Sequence, residues 1–285
     1  MSHRTKHFGI VEGFYRQPYT WEERCDCIRM LAETDCNTYV YGPKTDPFHR
    51  RRWKEPYPGD TMRAFTRLNK LCKDLGIRFN YAISPVSQPD TEDLIRKIRT
   101  MAAIGIESFS IFFDDIKVPL TSETATVQCA CTNEVYAYLK KTITQPILFF
   151  CPTQYRGLKN SEYIRSVAQS LEKEIDIFWT GKHVVSPRIT EKQIHRITEL
   201  YGKPPLIWDN IFANDYIPGV IHAFPYRYRP SSLVTRCKGI LINPMNQYRR
   251  SKPLIFTAAL FFRDPEHYTP RIAWHKAIQT VGTKK

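Results

Sequence analysis

Several patterns are missing from the 285-residue chain. No apolar run approaches the length of a bilayer span, and the opening MSHRTKHFGIVEGFY carries no extended hydrophobic segment of the secretory type. The eight cysteines form no CxxC pair and have no histidines at zinc-finger spacing, which argues against a metal site. Several of them stand in apolar runs, as Cys151 does in ILFFC, where a thiol behaves as a small core hydrophobe. Together these features lead us to expect a soluble chain with reduced thiols in the cytoplasm, or in the nucleus if the source is eukaryotic. No zinc-finger, RRM or helix-turn-helix signature is present, and no glycine-rich phosphate loop. No low-complexity linker divides the chain.

Acidic residues are also in short supply, 28 Asp and Glu against 42 Lys and Arg, for a formal charge of +14. A field of one sign recruits anionic partners. The densest basic run is His49 to Lys54, and Arg50, Arg51, Arg52 and Lys54 are expected to steer an acidic macromolecular partner. Arg249, Arg250 and Lys252 form a smaller cluster. The remaining composition, 42% hydrophobic and 13% aromatic, supports a large core.

What is present is a regular alternation. Short apolar runs, rich in β-branched and aromatic residues, alternate with amphipathic stretches, as in parallel strands joined by crossover helices. Eight strands are expected: His7–Tyr15, Thr38–Tyr41, Arg78–Ser84, Ser108–Asp115, Ile147–Cys151, Asp176–Gly181, Leu206–Asn210 and Gly239–Pro244. Helices are expected over Trp21–Thr34, Thr61–Leu75, Thr91–Ile104, Glu123–Lys140, Asn160–Leu171 and Thr190–Tyr201, the last opening on T-x-x-Q, a capping arrangement. Eight units of about thirty to forty residues predict one (β/α)8 TIM barrel. Its single catalytic domain spans 1–285, with the barrel core at about 7–262 and a short tail after it; the terminal TVGTKK is expected to fray.

Chemistry in such a barrel sits where the strands end. The fourth strand stops at Asp114 and Asp115, and two adjacent carboxylates in a partly dry pocket are expected to raise the proton affinity of one of them. The other strand ends contribute Glu12-Gly13-Phe14-Tyr15, Gly42-Pro43-Lys44, Ser84-Pro85, Pro152-Thr153-Gln154-Tyr155, Thr180-Gly181, Trp208-Asp209-Asn210 and Asn243-Pro244. Aromatic rings beside amides, carboxylates and an ammonium suit a sugar.

The segments VEGFY, NTYVYGPK, YAISP, FFDDI, TNEVYAYL, FCPTQY, FWTGKHVVS, WDNIFANDY and GILINP, in order from Ile10 to Pro244, resemble glycoside hydrolase family 84. These are β-N-acetylglucosaminidases on a (β/α)8 barrel. The resemblance implies a retaining exo-β-N-acetylglucosaminidase acting on O-GlcNAc-modified protein. It implies that Asp114 orients the substrate's 2-acetamido group and Asp115 is the general acid/base. It further implies that Gly13, through its carbonyl, and Lys44 contact sugar hydroxyls, and that Asn210 positions the acetamido group. By the same resemblance Asp215 and Asn243 would hold the far hydroxyls, and Tyr155 and Trp208 would wall the acetamido pocket. Asp209 is expected to be structural. The implied reaction is substrate-assisted through an oxazoline and needs no metal or organic cofactor. Two other readings stay open: cleavage of free oligosaccharides or hyaluronan-like glycans, and a weakly active barrel that binds GlcNAc-bearing partners. The sequence departs from the family pattern at Arg16-Gln17-Pro18-Tyr19 and at Thr45, and Arg16 is expected to narrow the pocket mouth or to change which aglycones fit.

Overall fold

The structure, a computed structural model, describes residues 6–86 and 89–282. Eight parallel strands close into a barrel in sequence order, β1 (His7–Glu12), β2 (Thr38–Tyr41), β3 (Arg78–Ile83), β4 (Ser108–Phe112), β5 (Ile147–Cys151), β6 (Asp176–Trp179), β7 (Leu206–Asp209) and β8 (Gly239–Ile242). The ring closes where β1 pairs with β8, His7 opposite Gly239 and Ile10 opposite Ile242. Each strand begins where the apolar pattern predicts. Several stop earlier: Gly13–Tyr15 and Phe113–Asp115 continue the apolar and polar alternation past the regular strand, where Phe113 N–H still donates to Cys151 O at 2.8 Å and Phe14 O accepts from the Lys44 amide at 3.1 Å.

Alternation along each strand sorts the side chains into two cores. Val11, Val40, Ala82, Phe112, Phe149, Cys151, Phe178, Trp208 and Leu241 form a compact cluster that fills the barrel. Their neighbours Ile10, Tyr39, Tyr81, Ile111, Phe150, Ile207 and Ile242 belong to a larger cluster shared with the surrounding helices. The same parity governs the residues just past the strands. Gly13, Asp114, Asn210 and Asn243 fall in step with the inner set, whereas Glu12 and Asp209 fall in step with the outer one.

The outer acids are consumed structurally. Glu12 is fully buried; Arg24 donates to both its oxygens at 2.8 and 2.9 Å, and Tyr39 and the Tyr19 amide donate at 2.6 and 3.1 Å. Asp209 accepts two bonds from Arg229, both at 2.7 Å, and one from Tyr226 at 2.8 Å. Breaking such a pair from one side leaves a buried charge without its counter-ion. Arg229→Ala is therefore expected to cost about 3–5 kcal/mol of folding stability, read as a lowered urea midpoint. A double replacement of Arg229 and Asp209 by apolar residues should cost less than the single one.

Helices α1 (Trp21–Glu33), α2 (Gly59–Asp74), α3 (Thr91–Ala102), α4 (Ser122–Thr142), α5 (Glu162–Ser170) and α6 (Glu191–Tyr201) follow strands one to six. Thr20 and Thr190 each close a capping box, with Glu23 and Gln193 as partners. Helix α6 stops at Gly202, whose φ of 66° is the left-handed conformation glycine takes without penalty. After β7 a long irregular segment leads to the short α7 (Ser232–Arg236), and α8 (Tyr248–Arg263) follows β8. Beyond α8, where a short tail was expected, α9 (Pro270–Val281) packs against it. The end of TVGTKK lies outside the described residues.

Candidate active site

A cavity of about 520 Å³ opens at the C-terminal end of the barrel, a volume in the ordinary range for small-ligand sites. Eight of the nine sequence-derived site residues line it: Gly13, Asp114, Asp115, Tyr155, Trp208, Asn210, Asp215 and Asn243. The ninth, Lys44, stands behind the wall. Its ammonium is buried and bonds Asp114 Oδ2 at 2.5 Å, with the rings of Phe112 and Trp208 beside it at 5.1 and 5.3 Å. Lys44 thus meets the Asp114 carboxylate.

The adjacent aspartates have unlike surroundings. Asp114 follows Phe112 on the inner face and is buried. One of its oxygens pairs with Lys44; the other, Oδ1, is buried with no hydrogen-bond partner among the described residues. Asp115 turns the other way. Its φ of 53° is a left-handed conformation, uncommon for a residue with a Cβ and typical of strain held at functional sites. The turn lifts its carboxylate to the mouth, where Tyr15 and Tyr155 donate to Oδ2 and Oδ1, each at 2.8 Å.

This arrangement corrects one expectation. A like-charge pair was to raise one proton affinity, yet the Asp115 carboxyl lies below the ordinary carboxylate range. Partial burial pushes it up, but the nearby Lys44 charge, the two tyrosine hydrogen bonds and Arg50 together push it further down. Two cations and two neutral donors outweigh the burial of the carboxylate. The tyrosine hydroxyls themselves are shifted upward by burial and by the Asp115 charge, so both remain protonated donors.

An amide network frames the opposite wall. Trp208 Nε1 and Asn243 Nδ2 donate to Asn210 Oδ1 at 2.9 and 2.8 Å, and Asn210 Nδ2 donates to Val184 O at 2.8 Å. Asn243 Oδ1 accepts from the Gly13 amide at 3.2 Å. A Cβ at Gly13 would lie 2.1 Å from Trp208 Cζ2, so glycine there is a steric requirement of the indole. Asp215 Oδ2 accepts from the Tyr15 amide at 2.7 Å.

Tyr15 and Thr180, read from sequence as strand-end residues but given no role, also line the cavity, and sequence reading missed Cys151, His183, Val184, Val185, Ala213 and Tyr216. Tyr15 stands in the quoted VEGFY segment, and Cys151 and Thr180 have the inward parity of their strands. The two departures from the family pattern meet each other, since Thr45 Oγ1 donates to Arg16 O at 2.8 Å. Arg16 is exposed, takes a φ of 71° and does not line the cavity, so it does not narrow the mouth as expected. The basic run is dispersed as well. Arg52 pairs with Glu55, Lys54 with Asp93, and Arg50 turns toward Asp115. Three of the four basic residues are thus engaged by acidic or main-chain oxygens.

Behind Lys44 lies His49, fully buried, with Nδ1 2.8 Å from Ala82 O. Burial first, then the charges of Lys44 and Arg50, push its imidazole down to about 3. The unfolded chain therefore binds a proton here that the folded chain refuses. Stability from this site is complete above the ordinary histidine value of about 6.5 and is lost as pH falls toward the folded value. Denaturant unfolding from pH 7 to 4 is expected to show a drop that is roughly 1–4 kcal/mol smaller in His49→Asn. Parallel slopes in the two proteins would contradict the expectation.

The family model described as beta-N-acetylglucosaminidase matches residues 8–285. The chain belongs to this family. Among its members, the β-N-acetylglucosaminidase-family chain is 35% identical over 274 residues to the protein O-GlcNAcases of Rattus norvegicus and Mus musculus. The match covers 90% of this chain and 30% of each relative, so the chain spans less than a third of their length. A mutant form of the Thermobaculum terrenum O-GlcNAc hydrolase superposes with a TM-score of 0.92 at 34% identity, covering 97% of this chain and 63% of that one. Among the described residues of this family member, no helix is long and apolar enough to cross a membrane.

Proposed function

We propose that the chain is a retaining exo-β-N-acetylglucosaminidase that removes β-linked GlcNAc from modified Ser and Thr of proteins. The relatives named above support the substrate class. The observation that carries the chemistry is the division between the two aspartates. Asp114 Oδ1, buried and unpartnered, suits an acceptor for the acetamido N–H as the acetamido oxygen attacks C1 and positive charge grows on the forming oxazoline. Asp115, at the mouth, suits proton delivery to the departing oxygen and later activation of water. Lys44 supplies the counter-charge to Asp114. Asn210, Trp208 and Tyr155 shape the acetamido side of the cavity, and Gly13, Asp215 and Asn243 serve the sugar hydroxyls.

Neither carboxylate needs to reach C1, which is why sequence neighbours can share the work. The eight cysteines are free thiols, in keeping with a reducing, cytoplasmic setting. The deciding assay is hydrolysis of an aryl β-GlcNAc beside the matching β-GalNAc and β-glucoside. The reading expects rapid release from the first and none from the glucoside, which lacks the internal nucleophile. Comparable release from the glucoside would overturn it.

A further inference from the structure

We propose that Arg50 is the positioning residue for the general acid/base: its guanidinium holds the Asp115 peptide in its left-handed turn and fixes the Tyr15 hydroxyl against the Asp115 carboxylate. The inference rests on the proposed role of Asp115. It reassigns a residue that composition alone places in a surface charge cluster.

Three contacts carry it. Arg50 Nη2 donates to the main-chain oxygen of Asp115 at 2.8 Å, and Nη1 donates to the Tyr15 hydroxyl at 3.2 Å. That hydroxyl in turn donates to Asp115 Oδ2. One planar fork therefore grips the acid residue twice, once through its backbone and once through its tyrosine partner. A guanidinium can do this with two fixed N–H directions, whereas an ammonium is a point charge without that geometry.

Arg50 is itself held in place. The preceding His49 carbonyl accepts from the Ser84 amide at 2.9 Å and its ring is anchored on Ala82. Asp46, at the start of the same loop, accepts from Tyr41, Tyr57 and the Phe48 amide at 2.6–2.8 Å. The loop after β2 is thus fastened to β3, and Arg50 projects from it across to the end of β4. A carboxylate set on a left-handed residue has no strand ladder to orient it, and a displacement of about 1 Å can cost about a hundredfold in rate. The fork supplies the missing constraint.

The charged and titratable groups facing Asp115 are Lys44 and Arg50 from the loop after β2, Tyr15 from the loop after β1, Tyr155 from the loop after β5, and Asp114 beside it. Arg50 acts on it in two separable ways, by charge and by geometry. The experiment compares wild type, Arg50→Ala and Arg50→Lys on an alkyl β-GlcNAc, which needs protonation to leave, and on a nitrophenyl β-GlcNAc, which hardly does. Both variants are expected to lose roughly ten- to a hundredfold in kcat/KM on the alkyl substrate and only a few-fold on the aryl one. Arg50→Ala also removes a positive charge, so the basic limb of its kcat/KM profile moves to higher pH; Arg50→Lys keeps the limb near the wild-type position.

Thermal melting is followed in parallel, and should Arg50→Ala fail to fold, the leaving-group contrast in Arg50→Lys decides. Equal losses on both substrates, with an unmoved pH profile, would show a structural arginine and overturn the proposal. A wild-type chain inert toward both glycosides would instead sink the reading of the site on which the proposal depends.

Discussion

Asp115→Asn is expected to slow hydrolysis of an alkyl β-N-acetylglucosaminide by roughly a hundredfold or more, the usual worth of general acid catalysis. The loss should shrink sharply on a nitrophenyl glycoside, whose leaving group departs with little protonation. With that substrate the first step stays fast and the second, in which Asp115 would activate water, becomes limiting, so the oxazoline should accumulate. The pH profile adds a second test. In the free site Asp115 is shifted downward, chiefly because Lys44, two tyrosine hydrogen bonds and Arg50 together overcome the opposing effect of burial. A bound glycoside that displaces a tyrosine donor and excludes water weakens those effects. The basic limb of kcat/KM, which reports the free enzyme, should then lie at lower pH than the basic limb of kcat, which reports the complex. Coincident limbs, or equal losses on the two glycosides, would count against Asp115 as the acid.

Asp114→Asn is expected to behave differently. Its carboxylate would act on the acetamido group, which every substrate carries, so the loss should be large and nearly independent of the leaving group. Removing a charge that stabilises a developing cation typically costs about a hundredfold to a thousandfold. The substitution also leaves the buried Lys44 ammonium without the carboxylate it touches at 2.5 Å. Folding stability should fall along with activity, by about 3–5 kcal/mol if Lys44 stays charged. A restored melting temperature with no restored activity in Asp114→Asn/Lys44→Met would separate the two effects. If Asp114→Asn discriminates between leaving groups as Asp115→Asn does, the two roles have been assigned the wrong way round.

Much of this site follows from parity. Once Phe112 is assigned to the barrel interior, Asp114 must follow it inward, and the same counting sends Gly13, Asn210 and Asn243 inward and Glu12 and Asp209 outward. The reading of Asp209 as structural agrees with its burial against Arg229. Strand starts were equally legible, because each follows a polar or glycine-containing break. Strand ends were not, since Phe14 and Phe113 keep an apolar pattern after the regular strands have ended at Glu12 and Phe112. Alternation cannot announce a residue that leaves it, and Asp115 leaves it at a φ of 53°. Arg50 was hidden for another reason: among neighbours of like charge, nothing local distinguishes the arginine that points inward. Tyr216, Val184 and His183 lie on irregular loops, where no periodicity says which side chain faces the cavity. Helix α9 carries Pro270 at its first turn, a start signal of the kind that favours a helix after a loop.

The contact between Gly13 and Trp208 bears on how this pocket could change over generations. The backbone of one strand end and the indole of another occupy the same few ångströms, so neither position is free to vary by itself. Any side chain at 13 meets the ring, and a smaller residue at 208 both releases Asn210 from the Trp208 Nε1 bond and opens a void beside Phe112 and Phe178. A route to a reshaped cavity therefore runs through paired replacements. A library randomised at both positions should return functional variants in which bulk gained at 13 is matched by bulk lost at 208, with few survivors altered at 13 alone.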